Sequence, residues 1–381
     1  MAPNFFLISS NPHLSHTCIF SAHIPQEKPG STKYGPSGLF TPESFTTFTT
    51  NPELAQSLSN LANHSLTKKT WSSYATAGRM LKTCCSESNL PLTYPLSDST
   101  ILSFIAWLNN RGLKASTINS YLAGIRQIHL TLGLTPPMIR SELVNQLLSG
   151  KKKLDFCSNN STPTRLPITP NLLRLTKVAI SKDSLNKVDM RSFWFLCTLG
   201  FFGSFRMGEL LGSSTKTFDP NFTLLKKDII LNSTVINNKK LSFLEIRLKS
   251  SKCSPTNSTL VDIYPTNNDI CPVKAFIKWN KSSIVLPNSP AFQLSSGLLI
   301  TKELFNKKLH IWLSDYIDPT IGVITGHSFR AGLVSILSSA GFQDSDLKSI
   351  GRWSSRAFLL YTKLPRTKRL AMAQALGNMN L

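Results

Sequence analysis

Acidic side chains are scarce in this chain: 20 Asp and Glu stand against 42 Lys and Arg in 381 residues, a formal net charge of +22 and a pI near 9.9. Such an excess of one sign repels itself in a compact chain and is matched when a polyanion is the working partner, so nucleic acid is the first candidate. An anionic membrane surface would call for an amphipathic basic helix or a lipid anchor, and the sequence has neither pattern. A long apolar run is lacking too. The longest stretch, Ser192 to Phe205, lies between Arg191 and Arg206, is interrupted by Gly200, Gly203 and Ser204, and falls short of the roughly 20 residues a spanning helix needs. A buried core helix is expected there.

Metal and disulfide chemistry are likewise poorly provided for. The cysteines are odd in number (Cys18, Cys84, Cys85, Cys157, Cys197, Cys253 and Cys271), with no Cys-x-x-Cys pair and no His at zinc spacing. They read as reduced thiols of an intracellular protein. Cys253 stands beside Lys252, a cation that would lower its thiol pKa, although an exposed loop cysteine is the plainer reading. No signal-peptide pattern opens the chain, so the Asn-x-Ser/Thr triplets at Asn63, Asn221 and Asn257 are expected to be chance matches. No internal repeat and no metal-binding loop is visible.

What is present suits packed globular structure: 41% hydrophobic and 16% charged residues, in a chain long enough for two domains. Residues 1–51, rich in Ser, Thr, Pro, Asn and Phe without sustained period, predict a poorly ordered arm. From Pro52 to about residue 150 the pattern is helical. Trp71, Tyr74, Gly78 and Leu81 share one face; Ile101, Phe104, Ile105 and Leu108 share another, with Asp98-Ser99 as N-cap; Ser116-Thr117 opens a third helix; a fourth runs from about Met138 through Leu147. Lys68, Lys69, Lys114, Arg126 and Arg140 are spread over this unit, as a helical module lying on a DNA backbone would need, or simply as solvated helix faces. Residues 151–165, opening with Lys151, Lys152 and Lys153 and ending near Pro163, predict a basic linker.

Residues 166–381 predict a mixed unit. Helix is expected from Pro170 to about Leu211, then three short strands (Leu224 to Leu231, Leu244 to Leu248, Leu260 to Tyr264) forming a small antiparallel sheet, then helices at Pro272–Trp279, Lys302–Tyr316, Ser328–Ala340 and Ser345–Ile350. The fold class expected overall is mainly α with a small antiparallel β-sheet.

The chemistry concentrates in this second unit. His327-Ser-Phe-Arg330, then Gly351-Arg352-Trp353, then Tyr361 set a base, a cation, an indole donor and a phenol within one stretch. A tyrosine hydroxyl can attack phosphorus if a neighbour takes its proton, and planar guanidiniums can fork the two non-bridging oxygens as charge builds. Upstream, Arg206 follows the apolar run with Glu209 on the same helical face to orient it, and Lys252 sits in a polar break between two strands. Each residue has a bland reading by itself: His327 as a helix cap, Trp353 as core, Tyr361 as a buried phenol, Arg206 as a structural partner of Glu209. Their order is what speaks for a site. Lys249 lies three residues from Lys252, and strand register decides which of the two points inward.

The order Arg, Lys, His-x-x-Arg, Trp, Tyr resembles the tyrosine recombinase (phage integrase) family. The phrases Gly-Phe-Phe-Gly-Ser-Phe-Arg-Met-Gly-Glu, Gly-His-Ser-Phe-Arg-Ala-Gly and Gly-Arg-Trp-Ser-Ser-Arg-Ala-Phe-Leu-Leu-Tyr resemble its eukaryotic mobile-element branch, of Crypton and DIRS type. The chain departs from the bacterial pattern in Phe329 and Ala331 around Arg330, in Trp353 where His is frequent, and in one fewer residue before the tyrosine. The resemblance implies a helical core-binding domain (52–150) and a catalytic domain (166–381) forming a clamp around double-stranded DNA, with Lys68, Lys69, Arg126 and Lys151 to Lys153 near phosphates. It implies that Tyr361 forms a 3′-phosphotyrosyl link, that Arg206 and Arg330 clamp the phosphate, that Lys252 is the general acid, that His327 assists proton removal, and that Trp353 donates its indole N–H. It favours Lys252 over Lys249. It further implies no metal or other cofactor, a nuclear setting, integration or excision of a mobile element, and a homotetramer joined through the tail beyond Tyr361. Two alternatives stand beside it: DNA relaxation of the type IB topoisomerase kind, and a domesticated DNA-binding protein without catalysis.

Overall fold

The computed structural model describes residues 45, 48–158, 164–236, 238–249, 258–353, 355–360 and 362. Its contacts divide the chain into two compact units, one up to Ser161 and one from Thr162. The expected arm falls almost wholly outside the described residues, as do Lys252, Tyr361 and the tail from residue 363 onward. Among the described residues no helix is long and apolar enough to cross a membrane.

Among its described residues the first unit has five helices: α1 (Pro52–His64), α2 (Lys68–Glu87), α3 (Asp98–Asn110), α4 (Ala115–Thr131) and α5 (Glu142–Cys157). Their starts are written in polar caps: Asn51, Thr67, Ser97 and Ser141 accept backbone N–H bonds from the first turns of α1, α2, α3 and α5. The core joins Leu81 and Cys84 of α2, Ile101, Phe104 and Leu108 of α3, and Ile118, Leu122 and Ile125 of α4. One buried polar group was not foreseen. His129 is fully buried; its Nε2 accepts the Leu96 N–H at 3.1 Å, so Nδ1 carries the proton and donates to the Ile125 carbonyl at 2.9 Å. Burial lowers its pKa, and the ring is held neutral.

The expected linker is corrected at its start. α5 does not stop at residue 150 but continues through Gly150 and the three lysines to Cys157. A helix-interior glycine costs only about 1 kcal/mol, and here the Ser141 cap, the Glu142 charge in the first turn and a Lys151–Asp155 ion pair at 2.8 Å, spaced i,i+4, act in favour of the helix. Asp155 also accepts the Ala115 N–H at 2.9 Å, tying α5 to the start of α4. Lys151 is thereby engaged and half-buried, whereas Lys152 and Lys153 are exposed.

In the second unit the helix expected from Pro170 to Leu211 is three. α6 (Pro170–Lys182) and α7 (Lys187–Phe202) are parted at Asp183, and α8 (Met207–Leu210) follows a turn at Gly203 to Arg206. The break at Asp183 has a purpose in packing: its carboxylate accepts the Trp312 indole N–H at 2.6 Å and pairs with Lys308 at 3.0 Å. The three strands are antiparallel in the order β1 (Ile229–Ile236), β2 (Lys239–Leu248), β3 (Thr259–Ile263). Ile229 faces Ile246 and Leu244 faces Ile263, so the inner face joins the core. β1 starts five residues later than the apolar run suggests, because Lys226–Asp228 forms a 3-10 turn in which the Asp228 carboxylate accepts the Leu225 N–H. Then come α9 (Pro272–Ser282), α10 (Lys302–Leu313), α11 (Gly326–Ser339) and α12 (Asp344–Ile350). The run Ser192–Phe205 is the buried helix expected of it as far as Phe202, and its last three residues form the turn: on α7, Phe195 meets Trp279 of α9 at 5.0 Å and Phe292 at 5.7 Å between ring centroids.

Candidate functional site

α7 ends where the site begins. Ser204 takes a left-handed backbone (φ +48°), an uncommon conformation for a residue with a Cβ, and turns the chain so that Arg206 becomes the N-cap of the one-turn helix α8. Glu209, three residues on, folds back to it: one carboxylate oxygen accepts the Arg206 backbone N–H at 2.9 Å, the other its Nη1 at 2.8 Å. The orienting pair read from the sequence is therefore present, with Glu209 5% exposed at its side chain.

α11 brings the His-x-x-Arg set to this turn. Thr325 caps the helix and the Asn306 side chain accepts the Gly326 N–H at 2.9 Å. A Cβ on Gly326 would lie 2.3 Å from Met207 Cγ, so only glycine lets the start of α11 close on α8. His327 is half-buried there. Burial lowers its pKa, and the positive charges of Arg165, Arg330, Arg206 and Lys302 lower it further. At neutral pH the ring is thus an uncharged base among four cations. Arg165 and Lys302 carry no signal in the sequence motif. Arg165 arrives through a parallel bridge to Val323, and Lys302 is the first residue of α10.

Arg330 is fully buried. Its Nη1 donates to the Ser204 carbonyl at 2.8 Å, its Nη2 to the Gly351 carbonyl, and its guanidinium lies 4.1 Å over the Trp353 ring. Trp353 itself is 8% exposed and packs with Val334, Leu347 and Phe358, as its bland reading had it. Arg352, also left-handed at φ +52°, sends its side chain the other way. Its Nη1 donates to the Gly203 carbonyl at 2.9 Å, and its Nη2 to Glu209 Oε2 at 3.2 Å and to the Ser204 carbonyl at 3.3 Å.

The structure therefore brings Arg206, Glu209, His327, Arg330, Arg352 and Trp353 together and adds Arg165 and Lys302. Lys252 and Tyr361 lie outside the described residues; Phe358, three positions before the tyrosine, is anchored beneath Trp353 at 6.1 Å between centroids. Lys249 is not at the cluster: its Nζ pairs with Asp228 at 3.0 Å and donates to the Pro220 carbonyl at 2.7 Å. In the first unit Lys69 is exposed and Arg126 half-buried, and Lys68 opens α2. What this cluster can do is hold a small anion of delocalised charge beside a neutral base.

No protein-family model matches the chain, and no curated protein does. Solved structures do. The XerH site-specific recombinase bound to a palindromic difH substrate, in a post-cleavage complex, aligns at TM-score 0.53 and 15% identity over 86% of this chain and 83% of that one. A lambda integrase dimer bound to a COC′ core site aligns at TM-score 0.51 and 11% identity over 80% of this chain and 91% of that one. The chain has the fold of a tyrosine recombinase. At these identities the likeness is one of fold.

Proposed function

We propose that this chain is a site-specific DNA recombinase or integrase that cleaves and rejoins strands through a tyrosine. The observation that carries the reading is the cation set of Arg165, Arg206, Lys302 and Arg330 around a neutral imidazole, on a fold shared with DNA-bound recombinases. In the proposed reaction Tyr361 Oη attacks phosphorus and the bond to the 5′ oxygen breaks. The phenol proton passes to His327, Lys252 protonates the leaving 5′ oxygen, and the arginines meet the charge that builds on the non-bridging oxygens. A 5′ hydroxyl of another strand then reverses the attack, so the link is conserved without ATP. The engagement of Lys249 with Asp228 supports Lys252 as the acid. Arg330, now bonded to two carbonyls, would exchange one of them for a phosphate oxygen or serve as the scaffold on which Arg206 works.

The remaining parts follow the same reading. Lys68, Lys69, Arg126, Lys152 and Lys153 contact DNA phosphates, Lys151 acts mainly through Asp155, the two units clamp a duplex, and the tail beyond Tyr361 docks on a neighbouring protomer of a tetramer. A mobile-element origin and a nuclear setting belong to the proposal as well.

The test needs no known target. A library of nicked duplexes of randomised sequence is incubated with the protein in EDTA, and DNA that survives denaturation attached to protein is sequenced. Wild type is expected to yield an adduct of enriched sequence, and Tyr361→Phe none, with duplex affinity unchanged. An adduct that persists in Tyr361→Phe refutes the assignment. Adducts that reseal but never join a second duplex point to DNA relaxation instead, and binding with no adduct at all to a DNA-binding role alone.

A further inference from the structure

Glu209 lies between two guanidiniums. Arg206 takes one carboxylate oxygen at 2.8 Å and Arg352 approaches the other at 3.2 Å. The Ser204 carbonyl is shared in the same way, by Arg330 at 2.8 Å and Arg352 at 3.3 Å. Arg352 is thus joined to both members of the phosphate-binding pair through common acceptors, and its guanidinium also lies 4.7 Å over the Phe205 ring, next to Arg206 in sequence. The backbone pays a conformational cost for this arrangement: Ser204 and Arg352 are both left-handed without being glycine, at φ +48° and +52°. Glycine would take the Arg352 turn with less strain, but it could not fill the gap between Glu209 and the Gly203 and Ser204 carbonyls. Two guanidiniums share the Glu209 carboxylate and a third joins them at the Ser204 carbonyl, so unless each is held by fixed acceptors the like charges drive one another apart.

We propose that Arg352 is a positioning residue: it locks Arg206 through the shared Glu209 carboxylate and Arg330 through the shared Ser204 carbonyl, so that both guanidiniums are in place before a phosphodiester arrives. This rests on the reading of the cluster as a phosphodiester site. A latch that only stabilises the turn at Gly351 to Trp353 would leave the geometry of Arg206 untouched, and that difference can be measured.

Two measurements on the full chain test it. The first is independent of catalysis: arginine-selective labelling with phenylglyoxal, with Arg206 modification followed by peptide mass spectrometry. Arg352→Gly, which relieves the backbone while removing the side chain, is expected to speed Arg206 labelling several-fold, and an unchanged rate overturns the proposal. The second uses a duplex recovered from the randomised library. Arg352→Gly is expected to lower the single-turnover rate of adduct formation by about 10- to 100-fold, as small misplacements of a reacting geometry do, at constant duplex Kd. Because the hold on Arg206 runs through Glu209, Arg352→Gly added to Glu209→Gln is expected to cost less than the product of the two single losses; losses that multiply overturn the coupling. If Arg352→Gly does not fold, Arg352→Lys carries the same test, since one ammonium can reach Glu209 or the carbonyls but cannot span both. If wild type forms no adduct on any duplex, the recombinase reading fails, and the labelling rate alone decides on Arg352.

Discussion

Glu209→Ala is the substitution whose cost the geometry bounds most tightly. The carboxylate accepts the Arg206 backbone N–H at 2.9 Å, Arg206 Nη1 at 2.8 Å and Arg352 Nη2 at 3.2 Å. Its side chain is 5% exposed, against 23% for Arg206 and 15% for Arg352. Removing one partner of a fully buried pair costs about 3–5 kcal/mol. Both arginines keep some solvent, which lowers that figure, and losing the backbone bond at the start of α8 returns about 1 kcal/mol of cost. A destabilisation of about 2–4 kcal/mol is therefore expected, and at about 2–4 °C per kcal/mol for a domain of this size it lowers Tm by roughly 4–16 °C. Glu209→Gln keeps the volume and a carbonyl for the Arg206 N–H and is expected to cost less than half as much. The assay is urea unfolding of each variant, with Tm as a check. A Glu209→Ala variant within about 0.5 kcal/mol of wild type, the range of ordinary surface changes, or a Gln variant as costly as Ala, refutes the view that the carboxylate holds the arginines together.

Three further outcomes are expected. His327, depressed first by burial and then by the cations around it, titrates below the ordinary value of about 6.5; its contribution to stability is present above that value and is lost as pH falls through the folded-state pKa. NMR titration of labelled histidine should show this, with Arg165→Ala moving the midpoint upward; a wild-type midpoint at or above the ordinary value speaks against the cation cluster. Gly332→Ala would set a Cβ 2.0 Å from the Ile168 carbonyl oxygen. Alanine ordinarily favours a helix by about 1 kcal/mol over glycine, yet here a lower Tm is expected, and a higher one refutes the close approach of α11 to the backbone at Ile168. Duplex affinity should fall about a thousandfold between roughly 50 and 200 mM salt if six or more phosphates are contacted; nearly flat binding counts against an extensive phosphate interface.

Much of the fold was legible locally, because the signals are local. Thr169-Pro170 and Thr301 mark the starts of α6 and α10 by capping chemistry that acts within one turn, whereas α11 starts two residues before the expected Ser328, with Thr325 and not His327 as its cap. The alternation Leu244, Ile246, Leu248 marks a strand with one buried face. The break at Asp183 was not legible, since it depends on Lys308 and Trp312 more than a hundred residues away. Nor was the persistence of α5 past Gly150, where a contact from Asp155 to the start of α4 favours helix over linker.

The sequence alone determined the chemistry on offer: the excess of positive charge, and the order of an arginine, a His-x-x-Arg and a Gly-Arg-Trp ahead of a tyrosine. Those are matters of side-chain type and spacing along one chain. Which cations face His327, that Arg330 turns inward to carbonyls, that Lys249 is bound to Asp228 and that Glu209 serves two arginines were decided by tertiary structure. Electrostatic and hydrogen-bond energies depend on distance through space, and only folding brings Gly203–Glu209, Arg330 and Arg352 within 3 Å or so of one another's acceptors.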